Sequence, residues 1–482
     1  MSVRDVRRGA LALAAALLCT ASFAGCHRES PRPKNVLLLV VDTLRADRLG
    51  CYGYGRATSP NIDALAARGT LYEQNYSQAS WTVPSMISML TGVSVTTEEQ
   101  TIPKAIPTLA EALNQRGMET WAIPANEVLG HERGFERGFE GWDFTETTVN
   151  ADGQTLAKRF AEWHGARKPE EGKLRPWFAW IQFLDPHIPY KPKARFDVFT
   201  GPRADQARLE ARWRAAESEA AEHAGPKSKP LAESIEMMTH FSNLYDGEVL
   251  QVDEAIGRIV ETLRQSGELD STLILVVSDH GEMLFEHHLQ PIFVKACVDK
   301  HQGLPNGVAD LFGNGHRSWF FEDLWRTPMI LAGPGIPAGR RVTSLSANLD
   351  VFPTILDALD FPRTPWLEGE SHFGGGDTRR ERVQAYAYQT SAVREKQGLK
   401  LVQHPRMMYL LPEPGELPVD LYDLAHDPHE ETSLAEKRPE EARRLRAEIE
   451  AWVERSKRDA TTTMTQAQLD ALRANGYVDA GK

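Results

Sequence analysis

The stretch Asn35–Val41 reads NVLLLVV and runs directly into Asp42. No polar residue interrupts it after Asn35, so it cannot present one apolar face and one wet face. A strand of this kind is buried on both sides, as in a parallel sheet covered by helices above and below. Thr272–Val277 (TLILVV) repeats the pattern and leads through Ser278 into Asp279-His280. Thr120–Ile123, Trp177–Leu184 and Met329–Ala332 read as further strands, the last closed by Gly333-Pro334-Gly335. Helical stretches fall between them at Ser59–Arg68, Pro107–Arg116, Thr155–Ala166, Ser242–Ser266 and Asp350–Leu359. Alternation of strand and helix predicts an α/β fold built on a doubly wound sheet.

The later part of the chain changes character. From Gly374 onward short strands are expected at Val383–Tyr388 and Lys400–Gln403, then an amphipathic helix at Pro439–Ser456. This predicts a small α+β subdomain over 366–482, behind an α/β domain over 35–365. Arg203–Glu233 is rich in Ala, Glu and Arg and reads as a solvated helical excursion. Acidic residues number 67 against 55 basic ones, a net charge of −12. That balance argues against nucleic acid as a partner, which needs a basic face.

The first 26 residues form a leader. Arg4, Arg7 and Arg8 precede an apolar run, Leu11–Leu18, that is too short to span a bilayer. Phe23-Ala24-Gly25-Cys26 then resembles a bacterial lipobox, whose cysteine is acylated and becomes the new N-terminus. Residues 27–34 read as a Pro-containing tether. The expectation is export and membrane anchoring through lipidated Cys26, in the periplasm or at the outer membrane and cell surface. Beyond Cys19 and Cys26 only Cys51 and Cys297 remain, too few for a disulfide framework or a Cys-type zinc site.

Asp42 and Asp279-His280 each closely follow a buried strand, and ligands of open α/β sheets bind outside the carboxyl ends of strands. Two carboxylates and an imidazole can therefore converge on one cation. Thr82-Val83-Pro84-Ser85 reads as a helix start. A hydroxyl there lies beside backbone N–H groups and the positive end of the helix dipole, which suit a phosphate or sulfate oxygen. Taken one at a time, each of these residues reads better as a cap or a polar turn. Their joint occurrence is what points to a site.

Here a resemblance enters. VVDTLRADRLGCYGYGRATSPNIDALAARGTLYEQNYSQASWTVPSMISMLTG, beginning at Val40, resembles the N-terminal signature of the sulfatase family in the alkaline phosphatase superfamily. FLDPHIPYKP (Phe183–Pro192), YDGEVLQVDEAIGRIVETL (Tyr245–Leu263), VVSDHGEMLFEH (Val276–His287), GHRSWFFEDLWRTPMILAGPG (Gly315–Gly335) and LYDLAHDPHEETSL (Leu421–Leu434) follow in order. The resemblance implies an alkaline-phosphatase-like fold: a large mixed sheet flanked by helices, then a small C-terminal sheet and helix. It implies metal ligation by Asp42, Asp279 and His280, with Thr82 as nucleophile and fourth ligand. It also implies a substrate-facing His187, and a His316 that binds the transferred group or protonates the leaving oxygen.

Three departures shape the chemistry. Sulfatases carry Cys or Ser, then any residue, Pro, Ser and Arg, and oxidise the first side chain to an aldehyde. Thr82 has a methyl group on Cβ and cannot yield that aldehyde, so no formylglycine is expected. Met86 stands in place of the motif arginine, and Thr43 in place of a second metal-binding Asp. A threonine oxygen can take a phosphoryl group and release it in a second in-line attack. Elimination of sulfate from an aldehyde hydrate is closed to it. The lean is thus towards phosphate or phosphonate esters, with sulfate esters retained; the partner is an anionic ester such as a headgroup, a glycan substituent or a small molecule. Carboxylates with one imidazole favour a single Zn²⁺ or Mn²⁺ over Ca²⁺ or Mg²⁺. The rival reading is a non-catalytic lipoprotein that keeps the fold and binds an anionic glycan or a protein. Between His287 and His316 lies a long insertion, read as either a substrate lid or a surface excursion.

Overall fold

A computed structural model describes residues 31–96, 101–199, 232–284, 286–287, 316, 319–405 and 417–461. The leader, the lipobox cysteine, nearly all of the 203–233 excursion and the whole 288–315 insertion lie outside them. Among the described residues, twelve strands form two sheets. The large one contains β1 (Asn35–Val41), β2 (Gly69–Tyr76), β3 (Glu119–Pro124), β4 (Gly141–Trp142), β5 (Trp177–Phe183), β6 (Thr272–Ser278), β7 (Arg326–Ala332) and β8 (Arg340–Ala347). Its order is β4-β3-β5-β1-β6-β7-β2-β8. The small one contains β9 (Arg382–Ala387), β10 (Thr390–Glu395), β11 (Leu399–Gln403) and β12 (Val419–Asp423), all antiparallel. The helices used below are α1 (Pro60–Ala67), α2 (Thr82–Thr91), α3 (Leu109–Asn114), α4 (Gly153–Ala166), α5 (Ala232–Ser266), α6 (Glu322–Trp325), α7 (Val351–Ala358) and α8 (Pro439–Thr461).

The unbroken apolar run of β1 has the consequence expected of it. Val36, Leu38 and Val40 pack with Met86 and Leu90 of α2, Leu109 of α3 and Phe352 of α7. Leu37, Leu39 and Val41 pack on the opposite face with Ile62 of α1, Phe160 of α4 and Val249 of α5. The strand pairs in parallel with β5 on one side and β6 on the other. The sheet is mixed rather than uniformly parallel, because β7 runs antiparallel to both β6 and β2. A strand that reverses direction beyond the middle of the sheet leaves no mark on local hydrophobicity.

Element ends moved where capping chemistry dictates. The helix expected at Pro107–Arg116 begins only at Leu109, because Thr108 accepts from the Glu111 N–H while the Glu111 carboxylate takes the Thr108 N–H. That reciprocal pair is a capping box. The helix expected from Ser242 begins at Ala232.

The small sheet packs on both faces. One meets α8, with Leu445 and Ile449 against Val393, Leu401 and Leu421. The other meets the edge of the large sheet, with Val383, Ala385 and Val402 against Tyr76 and Leu345. A charged group sits inside this junction. Lys400 of β11 is fully buried, 3.1 Å from Glu322 of α6 and 2.7 Å from Glu430. Tyr76 of β2 donates to the same Glu322 at 2.8 Å. Removing one partner from a buried ion pair strands the others without compensation, at a cost of about 3–5 kcal/mol. Lys400→Met is therefore expected to lower the thermal midpoint by several degrees; a melting curve superimposable on the wild type would contradict this role.

Candidate active site

β1 and β6 are in register, with Val41 opposite Ser278. One step further along, Asp42 and Asp279 leave the carboxyl edge of the sheet side by side, both fully buried. The turn after β1 is tight. Thr43 takes a left-handed φ of 56°, an uncommon conformation for a β-branched residue. Held there, its N–H donates to Asp279 Oδ1 at 3.3 Å and its carbonyl accepts from Tyr245 at 2.8 Å. The next turn also needs a particular residue. A Cβ on Gly281 would lie 1.9 Å from the Asp323 carbonyl oxygen, so the backbone can pass only as glycine.

His280 is oriented by its neighbours. Its Nδ1 lies 2.8 Å from the Gly281 carbonyl. An Nδ1–H bond to that carbonyl leaves the lone pair of Nε2 turned towards the carboxylates. Nε2 is 3.5 Å from Asp42 Oδ1 and 3.6 Å from Asp279 Oδ2. Those two carboxylate oxygens are buried with no hydrogen-bond partner. Ligand atoms of Asp42, Asp279 and His280 all lie within 4.8 Å of one another. Two orphaned anionic oxygens and an imidazole lone pair converging in a buried spot make a donor set that fits a divalent cation. Burial lifts the Asp42 carboxyl above its ordinary range, and Asp279 alongside adds to the shift. Burial pushes Asp279 up to about 6. Burial, then His316, pushes His280 down to about 4, so it is a neutral imidazole at neutral pH.

Thr82 is the first residue of α2. Its Oγ1 is 3.4 Å from Asp42 Oδ2 and 3.4 Å from His280 Nε2. Trp81, at the N-cap, makes no side-chain cap bond, so the positive end of the helix faces the cluster without a capping side chain. One turn into the helix, Ser85 donates to the Asp279 carbonyl at 2.6 Å and meets Ser77 at 2.8 Å. These bonds fasten α2 to the ends of β6 and β2. Met86, at the position of the motif arginine, is buried in the apolar core and contributes no charge to the site.

His316 and His187 come to the same place. The His316 ring is 4.8 Å from His280 and 5.2 Å from His187, centroid to centroid. His187, after β5, bonds through Nδ1 to the Ile188 carbonyl at 2.6 Å. All six residues singled out from the sequence thus gather at one end of the sheet.

Two participants escaped the sequence reading. Glu282 accepts from His316 Nδ1 at 3.1 Å. Burial alone would raise its carboxyl; His316 outweighs that and holds it below the ordinary value. Its signal was its place two residues past His280. Asn126, just beyond β3, donates through Nδ2 to Asp42 Oδ2 at 2.6 Å. Nothing local in Ala125-Asn126-Glu127 marks it; only the pairing of β3 with β5, and β5 with β1, brings it to Asp42. Arg45 pairs with Asp47, Glu286 and Asp323. The His287 ring stacks on Phe321 at 3.8 Å, and its Nε2 meets Asp323 at 3.3 Å.

Comparison with known proteins agrees with this architecture. The Sulfatase family model matches residues 34–361. The choline-sulfatase of Rhizobium meliloti (strain 1021) is 25% identical, over 83% of this chain and 82% of that protein. A multifunctional alkaline phosphatase superfamily protein of Trinickia caryophylli is 25% identical, over 70% of this chain and 74% of that one. Among solved structures, the phosphonate monoester hydrolase of Agrobacterium radiobacter aligns at 22% identity with a TM-score of 0.65, covering 88% of this chain and 96% of that one. A structure in complex with its substrate D-glucosamine-2-N,6-O-disulfate aligns at 19% identity with a TM-score of 0.67, covering 88% and 98%. At these identities the solved structures speak for the shared fold alone. The family match spans well over half of the chain, from the residue before β1 to the end of α7, and with it the chain is established as an ester hydrolase of the sulfatase family.

Proposed function

We propose that the chain cleaves phosphate or phosphonate esters, with Thr82 as a covalent nucleophile. The observation that carries this reading is the Thr82 hydroxyl, 3.4 Å from both a carboxylate and a neutral imidazole, at the start of a helix. Thr82 Oγ attacks phosphorus in line; its proton passes to a neighbouring base, and the P–O bond to the alcohol breaks. His316 gives the departing alcohol its proton, with Glu282 on Nδ1 keeping the other nitrogen available for that transfer. His187 contacts the oxygens of the transferred group. Water then attacks the same phosphorus, releases phosphate or phosphonate, and restores the hydroxyl; an alcohol in place of water would make the reaction a transfer. A divalent cation held by Asp42, Asp279 and His280, with Zn²⁺ or Mn²⁺ best matched to those donors, would supply positive charge that favours the ionised form of Thr82 and offsets charge on the ester.

Sulfate esters form the second reading. It is favoured by a relative named choline-sulfatase and by an N-acetylglucosamine-6-O-sulfatase of Bacteroides thetaiotaomicron, 22% identical over 90% of this chain and 88% of that protein. Against sulfate stands the methyl group of Thr82, which blocks the aldehyde route. The leader and Cys26 support a further part of the proposal: the enzyme works outside the cytoplasm, tethered by lipid, on an ester carried by a headgroup, a glycan or a small molecule.

Protein lacking residues 1–26, supplied with Mn²⁺ or Zn²⁺, is expected to turn over aryl phosphate or phosphonate esters. Thr82→Ala should lose at least about a thousand-fold in kcat, as other nucleophile deletions do. Intact mass after brief exposure to substrate should show a phosphorylated or phosphonylated Thr82. A sulfated Thr82 would transfer the assignment to sulfate; full activity in Thr82→Ala would end it.

The cation also has a pH signature. Burial pushes the folded Asp279 carboxyl up to about 6, above the ordinary range of an aspartate. The folded state therefore holds this proton more tightly than the unfolded chain. Its contribution to stability is complete below the unfolded value and is lost as pH rises through about 6. A cation favours the ionised carboxylates, so the gain in thermal midpoint on adding Mn²⁺ to chelator-treated protein should be larger near about pH 7.5 than near about pH 5. Equal gains at both would place the bound cation elsewhere.

A further inference from the structure

We infer that Asn126 is a positioning residue that makes Asp42 a one-oxygen ligand, reserving Oδ1 for the cation. The inference rests on the assignment of Asp42, Asp279 and His280 as the cation's holders, and it extends that assignment to a residue outside the recognised motifs. Three observations carry it. First, the amide of Asn126 cannot turn over. Its Oδ1 accepts the backbone N–H of Val128 at 3.1 Å, as the N-cap of a short 3₁₀ turn. With the oxygen committed there, Nδ2 must face Asp42, and it does so at 2.6 Å. Second, the two oxygens of Asp42 differ. Oδ2 receives Asn126 and Thr82, whereas Oδ1 is buried without a hydrogen-bond partner and faces His280 Nε2 at 3.5 Å. Third, Asn126 is itself buried and neutral. It supplies a donor to a carboxylate crowded by another carboxylate, and adds no charge of its own.

The physical effect is one of pre-organisation. A carboxylate with both oxygens free can swing between one-oxygen and two-oxygen binding, and ordering it costs part of the binding free energy. A carboxylate already held by an amide has one oxygen left to offer, aimed in one direction. Groups that hold a ligand from behind in this way typically account for about 10–100-fold in metal affinity or activity. The Val128 N–H thus acts on the site at second hand, by choosing which end of the Asn126 amide meets Asp42.

The test uses the full chain without its leader. Asn126→Leu keeps the shape and removes the donor, and Asn126→Ala removes both. Mn²⁺ titrated calorimetrically into metal-free protein should bind about 10–100-fold more weakly to each variant. Turnover of an aryl phosphonate by the variants should recover towards wild type as Mn²⁺ is raised, because the defect lies in holding the cation; a merely structural role would give a loss that Mn²⁺ does not restore. Unchanged Mn²⁺ affinity in a folded variant would overturn the inference. If neither variant folds, the wild-type protein crystallised with Mn²⁺ decides. One Asp42 oxygen on the cation, with Asn126 still on the other, is the expected result; two-oxygen binding with the amide displaced refutes it. Neither the affinity nor the coordination depends on Thr82 as nucleophile. A wild type that binds Mn²⁺ yet turns over no ester would defeat the proposed reaction and leave the role of Asn126 to be judged by the titration.

Discussion

Two buried carboxylates set side by side are the constraint around which the molecule is arranged. Asp42 and Asp279 present oxygens within 4.8 Å of each other, both out of contact with water. At an effective dielectric near ~20, two like charges at that spacing repel by on the order of 3 kcal/mol, before any cost of leaving water. The surroundings offer partial relief: backbone N–H groups of Thr43 and His280 on Asp279, and an amide on Asp42. No cationic side chain of the described residues bonds either one. The shortfall in positive charge is what a divalent ion would make good, and it explains why burial raises both acids rather than leaving them at ordinary values.

The fold meets this constraint through register. Because β1 and β6 are adjacent, parallel and in step, each ends on its carboxylate at the same height. The helix carrying Thr82 is then fixed against that edge by Ser85. Rigid strands supply the charged groups and a helix terminus supplies the hydroxyl, so little of the geometry is left to loops. His316 is the exception. It comes from a separate segment and is steadied by Glu282, which belongs to the same turn as His280. One short loop, Asp279–Glu282, therefore holds two of the three clustered donor residues and the partner of His316.

How much of this was legible depends on how local each signal is. β1 and β6 could be read because short, β-branched apolar runs such as VLLLVV suit a doubly buried strand. β2 could not: Glu73 and Gln74 break its pattern, and the register slips just after Tyr72 in both of its pairings. β10 and β12, TSAVRE and VDLYD, carry too few apolar residues to stand out. They are strands because their neighbours are. At the site, Asp42, Thr82, Asp279 and His280 were recoverable since each borders a recognisable element or a family motif. Asn126 was not, since its value lies in a partner 84 positions away that only the strand order brings near. Met86 shows the converse: its motif position was plain, but only packing revealed that it joins the core.

The junction between the two sheets bears on how the protein lives and fails. The small sheet buries one face against Tyr76 and Leu345, while Lys400 closes an ion triad with groups on both sides of the boundary. A chain clipped ahead of β9 would keep every residue of the proposed reaction centre, yet would bare an oily edge and leave Glu322 without its lysine. Proteolytic nicking there should thus silence the enzyme by precipitation and not by loss of chemistry. That makes the C-terminal sheet a guardian of shelf life as much as a piece of architecture.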